Sequence, residues 1–218
     1  MGKMIHALST GLPKEMKKDG MKRSIVTGIK KDRVEEVFLT KDGFKGDDVA
    51  DKRNHGGPDR AVCFYPLEHY KKWEEELGRV LPNAAFGENL TVTNMLEENV
   101  YIGNIYKVGT ALVQITQGRI PCSTIDQYTE ADTLLKRTIE TGFTGYLARV
   151  LEEGTITSKS TIELVEEHPE KMSILTCNQV YFANEDWKAM EEIASIEPLA
   201  EDWKRRLAKR MDRLKQQS

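Results

Sequence analysis

The longest apolar stretches of this chain fall far short of the roughly 18 residues that a membrane span requires. Met1 to Thr10 also lacks the apolar segment of a secretory signal. These absences place the expected location in the cytoplasm, with no membrane partner. Cysteine is sparse too. Cys63, Cys122 and Cys177 form an odd set without a CxxC pair, which argues against a disulfide framework and a structural zinc site, so they read as reduced thiols. Charge of neither sign prevails: the formal net charge is −3, leaving no global positive field to draw the protein onto nucleic acid. Any anion site must be a local patch. P-loop, Rossmann glycine fingerprint, nucleophile-elbow serine and HExxH motifs are missing as well. The usual nucleotide, hydride-transfer, esterase and zinc-protease chemistries therefore lack their carriers.

What is present is an ordinary globular composition, 39% hydrophobic over 218 residues, enough for one substantial core and an appendage. From about Lys3 to Glu166, short strands are broken by Gly and Asp turns with only two clear helices, the signature of a β-barrel or sandwich. Ile105–Val108 and Ala111–Gln117 read as strands joined by Gly109-Thr110, a pair suited to a type II′ turn. Thr144–Val150 alternates apolar residues, and a turn at Glu153-Gly154 into Thr155–Val165 predicts a second hairpin. One helix is expected over Pro66–Leu77 with Gly78 as its stop. Another is expected over about Glu130–Glu140, where Thr129 and Asp132 have capping-box spacing and Gly142 lies just beyond the end.

After His168-Pro169 the pattern is helical only. A stretch from about Pro169 to Gln179 is followed by a helix with Asn184 as its N-cap and Trp187, Met190, Ile193 and Ala194 on one face. Leu199, Trp203, Leu207, Met211 and Leu214 then line a further apolar face, opposite a basic stripe of Lys204, Arg205, Lys209 and Arg213 that is most simply solvated. The expected organisation is mainly β with α: a β-barrel domain over 1–167 with a few surface helices, and a small helical unit over 168–218.

Three clusters exceed routine turn chemistry. Gly46 to Arg60 packs carboxylates, guanidinium, imidazole and glycine into one loop, where the Gly56-Gly57 pair lets backbone approach a ligand and N–H groups could cradle an anion. A polar loop with a tight turn is the plainer alternative. Phe86-Gly87-Glu88-Asn89-Leu90 enters a strand, and Glu88 and Asn89 serve there most simply as hydrogen-bonding supports. Gln117-Gly118-Arg119-Ile120-Pro121-Cys122 leaves a strand end with a thiol beside a proline, where Arg119 favours the thiolate that nucleophiles and soft metals require. By this pattern alone Cys122 is as compatible with a small buried hydrophobe as with a reactive thiol, while Cys63 and Cys177 fit the buried role well.

In this order His55-Gly56-Gly57-Pro58-Asp59-Arg60-Ala61-Val62, Phe86-Gly87-Glu88-Asn89-Leu90 and Arg119-Ile120-Pro121-Cys122 resemble the fingerprint of the MOSC superfamily, named for the C-terminal domain of molybdenum-cofactor sulfurases. The resemblance continues through Tyr101-Ile102-Gly103-Asn104, Gly142-Phe143-Thr144-Gly145-Tyr146 and Arg149-Val150-Leu151-Glu152-Glu153-Gly154, and so covers most of residues 20 to 165. The helical tail with Trp203 resembles the extra C-terminal unit of the YiiM-like branch. The resemblance implies a β-barrel that binds the molybdenum cofactor, a molybdopterin, with Cys122 as thiolate ligand to the metal. It further implies a detoxifying reductase component acting on N-hydroxylated compounds such as hydroxylaminopurine-type base analogues, with electrons from a separate flavin reductase.

The implied catalytic set is Cys122, His55, Asp47 and Asp51, with His55 as hydrogen-bond donor or proton shuttle and the two aspartates holding His55 or Arg53. The implied cofactor contacts are Lys22, Arg23, Ser24, Arg53, Asn54, His55, Gly56, Gly57, Asn89, Arg119 and Cys122, the basic and hydroxyl groups among them serving the pterin phosphate. A monomer or homodimer is expected. The sequence departs from the family pattern at Gly118, where a proline often stands and where glycine would loosen the loop carrying Cys122. It also departs at Asn104 and at Ser158-Lys159-Ser160, both in turns. Two alternatives for Cys122 come from other classes: a sulfur carrier or cofactor-handling module bearing a persulfide on Cys122, and a cysteine hydrolase pairing Cys122 with His55.

Overall fold

The computed structural model describes residues 2–17, 24–183 and 186–217. In chain order its strands are β1 (Met4–Thr10), β2 (Lys14–Met16), β3 (Ile25–Thr27), β4 (Asp32–Arg33), β5 (Glu36–Thr40), β6 (Gly43–Phe44), β7 (Val62–Pro66), β8 (Leu90–Thr93), β9 (Ile105–Val108), β10 (Ala111–Gly118), β11 (Tyr146–Glu152), β12 (Gly154–Thr157) and β13 (Ile162–Glu166). The helices are α1 (Lys52–His55), α2 (Leu67–Leu77), α3 (Thr124–Thr129), α4 (Leu134–Thr141), α5 (Ile174–Ala183), α6 (Trp187–Ser195) and α7 (Glu201–Gln217), with a 3-10 turn at Pro58–Arg60.

Eight strands form one curled sheet in the order β13-β9-β10-β11-β7-β8-β1-β4, antiparallel throughout except between β7 and β8. A bridge between Met4 and Thr161 ties β1 to the residue ahead of β13, so the two sides of the curl meet and the expected barrel is approached. Every residue of β7 is buried, as its unbroken apolar run requires of a strand covered on both faces. The hairpin of β9 and β10 turns at Gly109, whose φ of 59° is the left-handed backbone that the first position of a II′ turn needs. In β10 the register shifts between Ile115 and Gln117, and Thr116 at the bulge donates its hydroxyl to Asp59 and Leu147 carbonyls at 2.7 and 3.0 Å.

Three local expectations are corrected. The second hairpin does not form: β12 leaves β11 and pairs with β5 in a separate three-stranded sheet, while β13 returns to pair with β9. A turn signal marks where the chain bends but not which strand it meets next. The expected Glu130–Glu140 helix starts only at Leu134, as α4, because Glu130 is left-handed at φ 55° and ends the separate helix α3 just before it. The capping box is absent; Thr129 instead donates its hydroxyl to Ile125 O at 2.8 Å, and the Asp126 carboxylate accepts from Leu135 N–H at 2.7 Å at the start of α4. Asn184 lies outside the described residues, and the cap of α6 is Asp186, which accepts from Lys188 and Ala189 N–H at 2.9 and 3.2 Å.

The helical tail shares the core of the sheet. Ile174, Cys177, Met190, Ile193, Leu199, Trp203 and Leu207 belong to the same apolar cluster as Phe64, Val113, Ile115 and Tyr146. Trp187 is the exception, 43% exposed. The tail also explains Gly118. A Cβ there would lie 1.9 Å from Asn178 Oδ1 of α5, and Asn178 is pinned because its amide donates to Gly142 O at 2.8 Å and Thr144 Oγ1 at 3.0 Å. The glycine packs the loop's root against the tail and does not loosen it. Gly118→Ala is therefore expected to lower stability by about 1–3 kcal/mol, and adding Asn178→Ala should recover part of that loss in a chemical-denaturation double-mutant cycle.

Candidate active site

The end of β10 delivers the chain to the site. Arg119 N–H donates to Gly145 O at 3.0 Å, Ile120 and Pro121 follow, and the Cys122 carbonyl accepts from Ile125 N–H at 3.1 Å as α3 begins. Cys122 is thus held between a strand exit and a helix start, half-buried, on the wall of a cleft of about 970 Å³. His55, Asp47, Asp51, Gly56, Gly57, Asn89 and Arg119 line the same cleft. The structure therefore brings together residues that lie up to 75 positions apart in the sequence (122 against 47).

The loop bearing His55 is fixed by its own backbone. Asp51 accepts Arg53 N–H on its carboxylate at 3.1 Å and His55 N–H on its carbonyl at 2.9 Å. Gly56 is required because a Cβ would stand 2.7 Å from Lys52 O, and Gly57 adopts φ 111°. Farther along, the Asp59 carboxylate is held by Arg149 at 2.8 Å, and Arg149 also donates to Pro198 O at 3.0 Å. The imidazole of His55 hydrogen-bonds the Cys122 sulfur, as do the hydroxyl and N–H of Thr124. Burial pushes the Cys122 thiol up, but the His55 hydrogen bond, the Arg119 guanidinium and Thr124 outweigh it and bring the pKa down to about 6. Cys63, buried although it borders the cleft, is pushed up to about 11 by burial, and burial raises Cys177 as well.

Three buried polar atoms of cleft-lining residues have no hydrogen-bond partner among the described residues: Arg119 Nη1, Gln117 Oε1 and Gln127 Oε1. Only Arg119 was legible in the sequence as a site residue. Gln127 was not, because it becomes a wall residue only through the short helix α3 that places it near Cys122. Lys31 was missed too. It is a buried cation paired with Asp47, in a stretch without any motif.

The other expected residues fall as follows. Asp47 touches neither His55 nor Arg53; its carboxylate takes Lys31 Nζ, Gly11 N–H at 2.8 Å and Asn89 Nδ2 at 2.9 Å. Asn89 borders the cleft, but its amide is spent on Asp47, on Ser9 O at 3.3 Å and on Cys63 N–H at 3.1 Å, the supporting role read for it first. Ser24 turns its hydroxyl to Glu15 across the β2–β3 hairpin, whereas Ile25 to Ile29 line the cleft. Arg53 lines a smaller neighbouring cavity with Gly56 and Gly57. Lys22 and Arg23 lie outside the described residues, as does the side chain of Asn54.

This fold and cleft define a MOSC domain, whose family model matches residues 51–163. The chain belongs to the MOSC-domain family, in its YiiM-like branch. It is 41% identical over 210 residues to the uncharacterized protein YflK of Bacillus subtilis, covering 95% of this chain and 94% of that one. It is 38% identical over 170 residues to a protein of Gibberella moniliformis named Reductase, covering 76% of this chain but 30% of that one. The crystal structure of YiiM from Geobacillus stearothermophilus superposes with a TM-score of 0.80 at 35% identity, covering 95% of this chain and 98% of that one.

The thiol's environment makes a direct prediction. Alkylation of native protein by iodoacetamide should modify Cys122 alone, with a rate that rises through a midpoint near pH 6. His55→Ala should move that midpoint upward, since it removes the leading hydrogen bond to the thiolate. Peptide mapping by mass spectrometry reads both.

Proposed function

We propose that this protein is a molybdenum-cofactor-dependent reductase component acting on N-hydroxylated compounds, hydroxylaminopurine-type base analogues among them, with electrons from a separate flavin reductase. The observation that carries this reading is the meeting, in one cleft, of a thiol ionised near neutrality with a buried guanidinium nitrogen and two amide oxygens that have no partner among the described residues. An unpaired buried polar atom costs roughly 1–3 kcal/mol. The set therefore fits a ligand that presents both acceptors and donors, as a phosphorylated pterin does. Membership of the MOSC family supports the same group.

A thiolate suits a soft metal already held by dithiolene sulfurs. Among the described residues no group of three or more His, Cys, Asp and Glu could hold a metal by itself. Cys122 would accordingly be the protein ligand, with the remaining donors arriving on the pterin. Arg119, Gln117 and Gln127 would contact the pterin. When bound, the group would supply two-electron redox chemistry at an N–O bond.

The chain's own residues do the rest. His55, whose hydrogen bond lowers the Cys122 thiol, would keep it deprotonated and hand a proton to the oxygen leaving nitrogen. Asp51 fixes the backbone from which His55 projects. Arg119 balances the negative charge that the thiolate brings into the cleft. The redox class also accords with the name of the Gibberella relative.

The Cys122–His55 contact would serve a thiol hydrolase or a sulfur carrier equally well, so the test separates the three. Protein made in a host with a working cofactor pathway should carry about one molybdenum per chain, as a single-thiolate site requires, and should reduce a hydroxylaminopurine with an artificial donor. Cys122→Ala should lose both metal and activity. Reduction by metal-free protein would overturn the reading. A gain of about one sulfur in the intact mass, reversed by reductant and confined to Cys122, would favour the carrier. Turnover of acyl or amide substrates would favour the hydrolase.

A further inference from the structure

Helix α7 brings to the cleft a cation that lies outside the matched MOSC region. Arg206 lines the cleft wall. Its Nε donates to the Asp202 carboxylate at 2.7 Å, which also takes Arg205 Nη2 at 2.6 Å and pairs with Arg60. Burial pushes the Asp202 carboxyl up, but the guanidiniums around it outweigh that and hold it below its ordinary range. Beside the cleft lies a second cavity of about 160 Å³, lined by Arg53, Arg60, Arg205 and Asp202 together with Gly56 and Gly57. That is room for about five waters. The two spaces share Gly56, Gly57, Pro58, Arg60 and Gln117, so they adjoin across the turn that follows His55.

The charges do not balance. Among the described residues that line the second cavity, Arg53, Arg60 and Arg205 face the carboxylates of Asp202 and Asp59, of which Asp59 also pairs with Arg149, and Arg206 adds a fourth guanidinium on Asp202. This is a local positive excess on a chain of net charge −3. Planar guanidiniums present paired N–H donors that match phosphate oxygens.

We propose that this arginine cluster is an anion subsite that takes the phosphate monoester of a ligand whose heterocycle lies in the cleft toward Cys122. The phosphate has two sources: the pterin, or a nucleotide form of the N-hydroxylated substrate. The choice of nucleotide probe rests on the function proposed above; the anion site itself does not.

The test uses purified, cofactor-loaded protein at low salt, titrated calorimetrically with adenosine 5′-monophosphate and with adenosine. Molybdenum and pterin content are measured alongside, for wild type, Arg206→Gln and Arg205→Gln. The side chains of Arg206 and Arg205 are 38% and 72% exposed and lie outside the apolar core that anchors α7, and a thermal-unfolding midpoint within a few degrees of wild type checks that each variant folds. If the substrate supplies the phosphate, the monophosphate binds at least roughly tenfold tighter than the nucleoside, as one charged hydrogen bond provides. Arg206→Gln then loses that preference with its molybdenum unchanged. If the pterin supplies it, Arg206→Gln loses molybdenum and pterin together. Both variants matching wild type in cofactor content and in nucleotide preference would overturn the subsite. Wild type that prefers the monophosphate yet never carries molybdenum would keep the subsite and remove the proposed function.

Discussion

The cleft depends on the carboxylate of Asp47. One of its oxygens takes Lys31 and the Gly11 N–H, the other takes the Asn89 amide, and Asn89 in turn accepts the Cys63 N–H. Through these bonds the end of β1, the approach to β4, the loop after β6 and strands β7 and β8 are tied at one point. Lys31 and Asp47 are 4% and 12% exposed at their side chains, so the pair is held out of water at a desolvation cost. Such a pair is tolerable only when its remaining hydrogen-bonding capacity is filled, and the Gly11 and Asn89 donors fill it. Removing one partner from a buried pair typically costs about 3–5 kcal/mol. Asp47 is thereby a framework residue, committed to these bonds and not to His55.

A second buried polar layer fixes the thiol loop. Gly145 accepts the Arg119 N–H on its carbonyl at 3.0 Å and donates its own N–H to Glu97 Oε1 at 2.9 Å. Glu97 holds His69 at 2.6 Å, and the His69 ring stacks on Phe143 at 4.1 Å. The strand exit that carries Arg119 and Cys122 is therefore referenced to the packed interior beneath α2. Rigid placement of this kind is what lets one imidazole, one guanidinium and Thr124 depress the thiol against its burial.

Much of this was legible in the sequence. Strand periodicity and the Gly109 turn marked β9 and β10; Gly78 and Gly142 marked helix ends, and both are left-handed caps. Cys122 stood out from Cys63 and Cys177 only through its loop and its family pattern, and the environments of the three thiols now separate them on physical grounds. What was not legible was set by partners distant in sequence. Gly118 looked like a weakened loop because Asn178, 60 positions later (178 against 118), is what needs the space. The switch of β12 to β5 is likewise a tertiary preference that no local turn signal encodes. Arg206 was invisible for the same reason. Its neighbours Arg205, Lys209 and Arg213 are solvent-exposed, as a basic stripe on an amphipathic helix should be, and only the packing of α7 turns Arg206 toward the cleft.

The matched MOSC region, residues 51–163, contains Cys122, His55 and Arg119 but neither Lys31 nor Arg206. The region shared across the family thus supplies the thiolate and the groups that ionise it, while the flanks close the cleft around them. Leu199, Trp203 and Leu207 bury α7 in the core of the sheet, and Arg60 of the shared region is clamped to Asp202 of that helix. A tail so anchored cannot be a passive appendage. Apolar burial fixes its axis, the Arg60–Asp202 pair fixes its rotation, and together they bring one arginine to the wall of the cleft that Cys122 lines. The anion subsite proposed for that arginine would thereby rest on the added helix, while the shared strands hold the thiol.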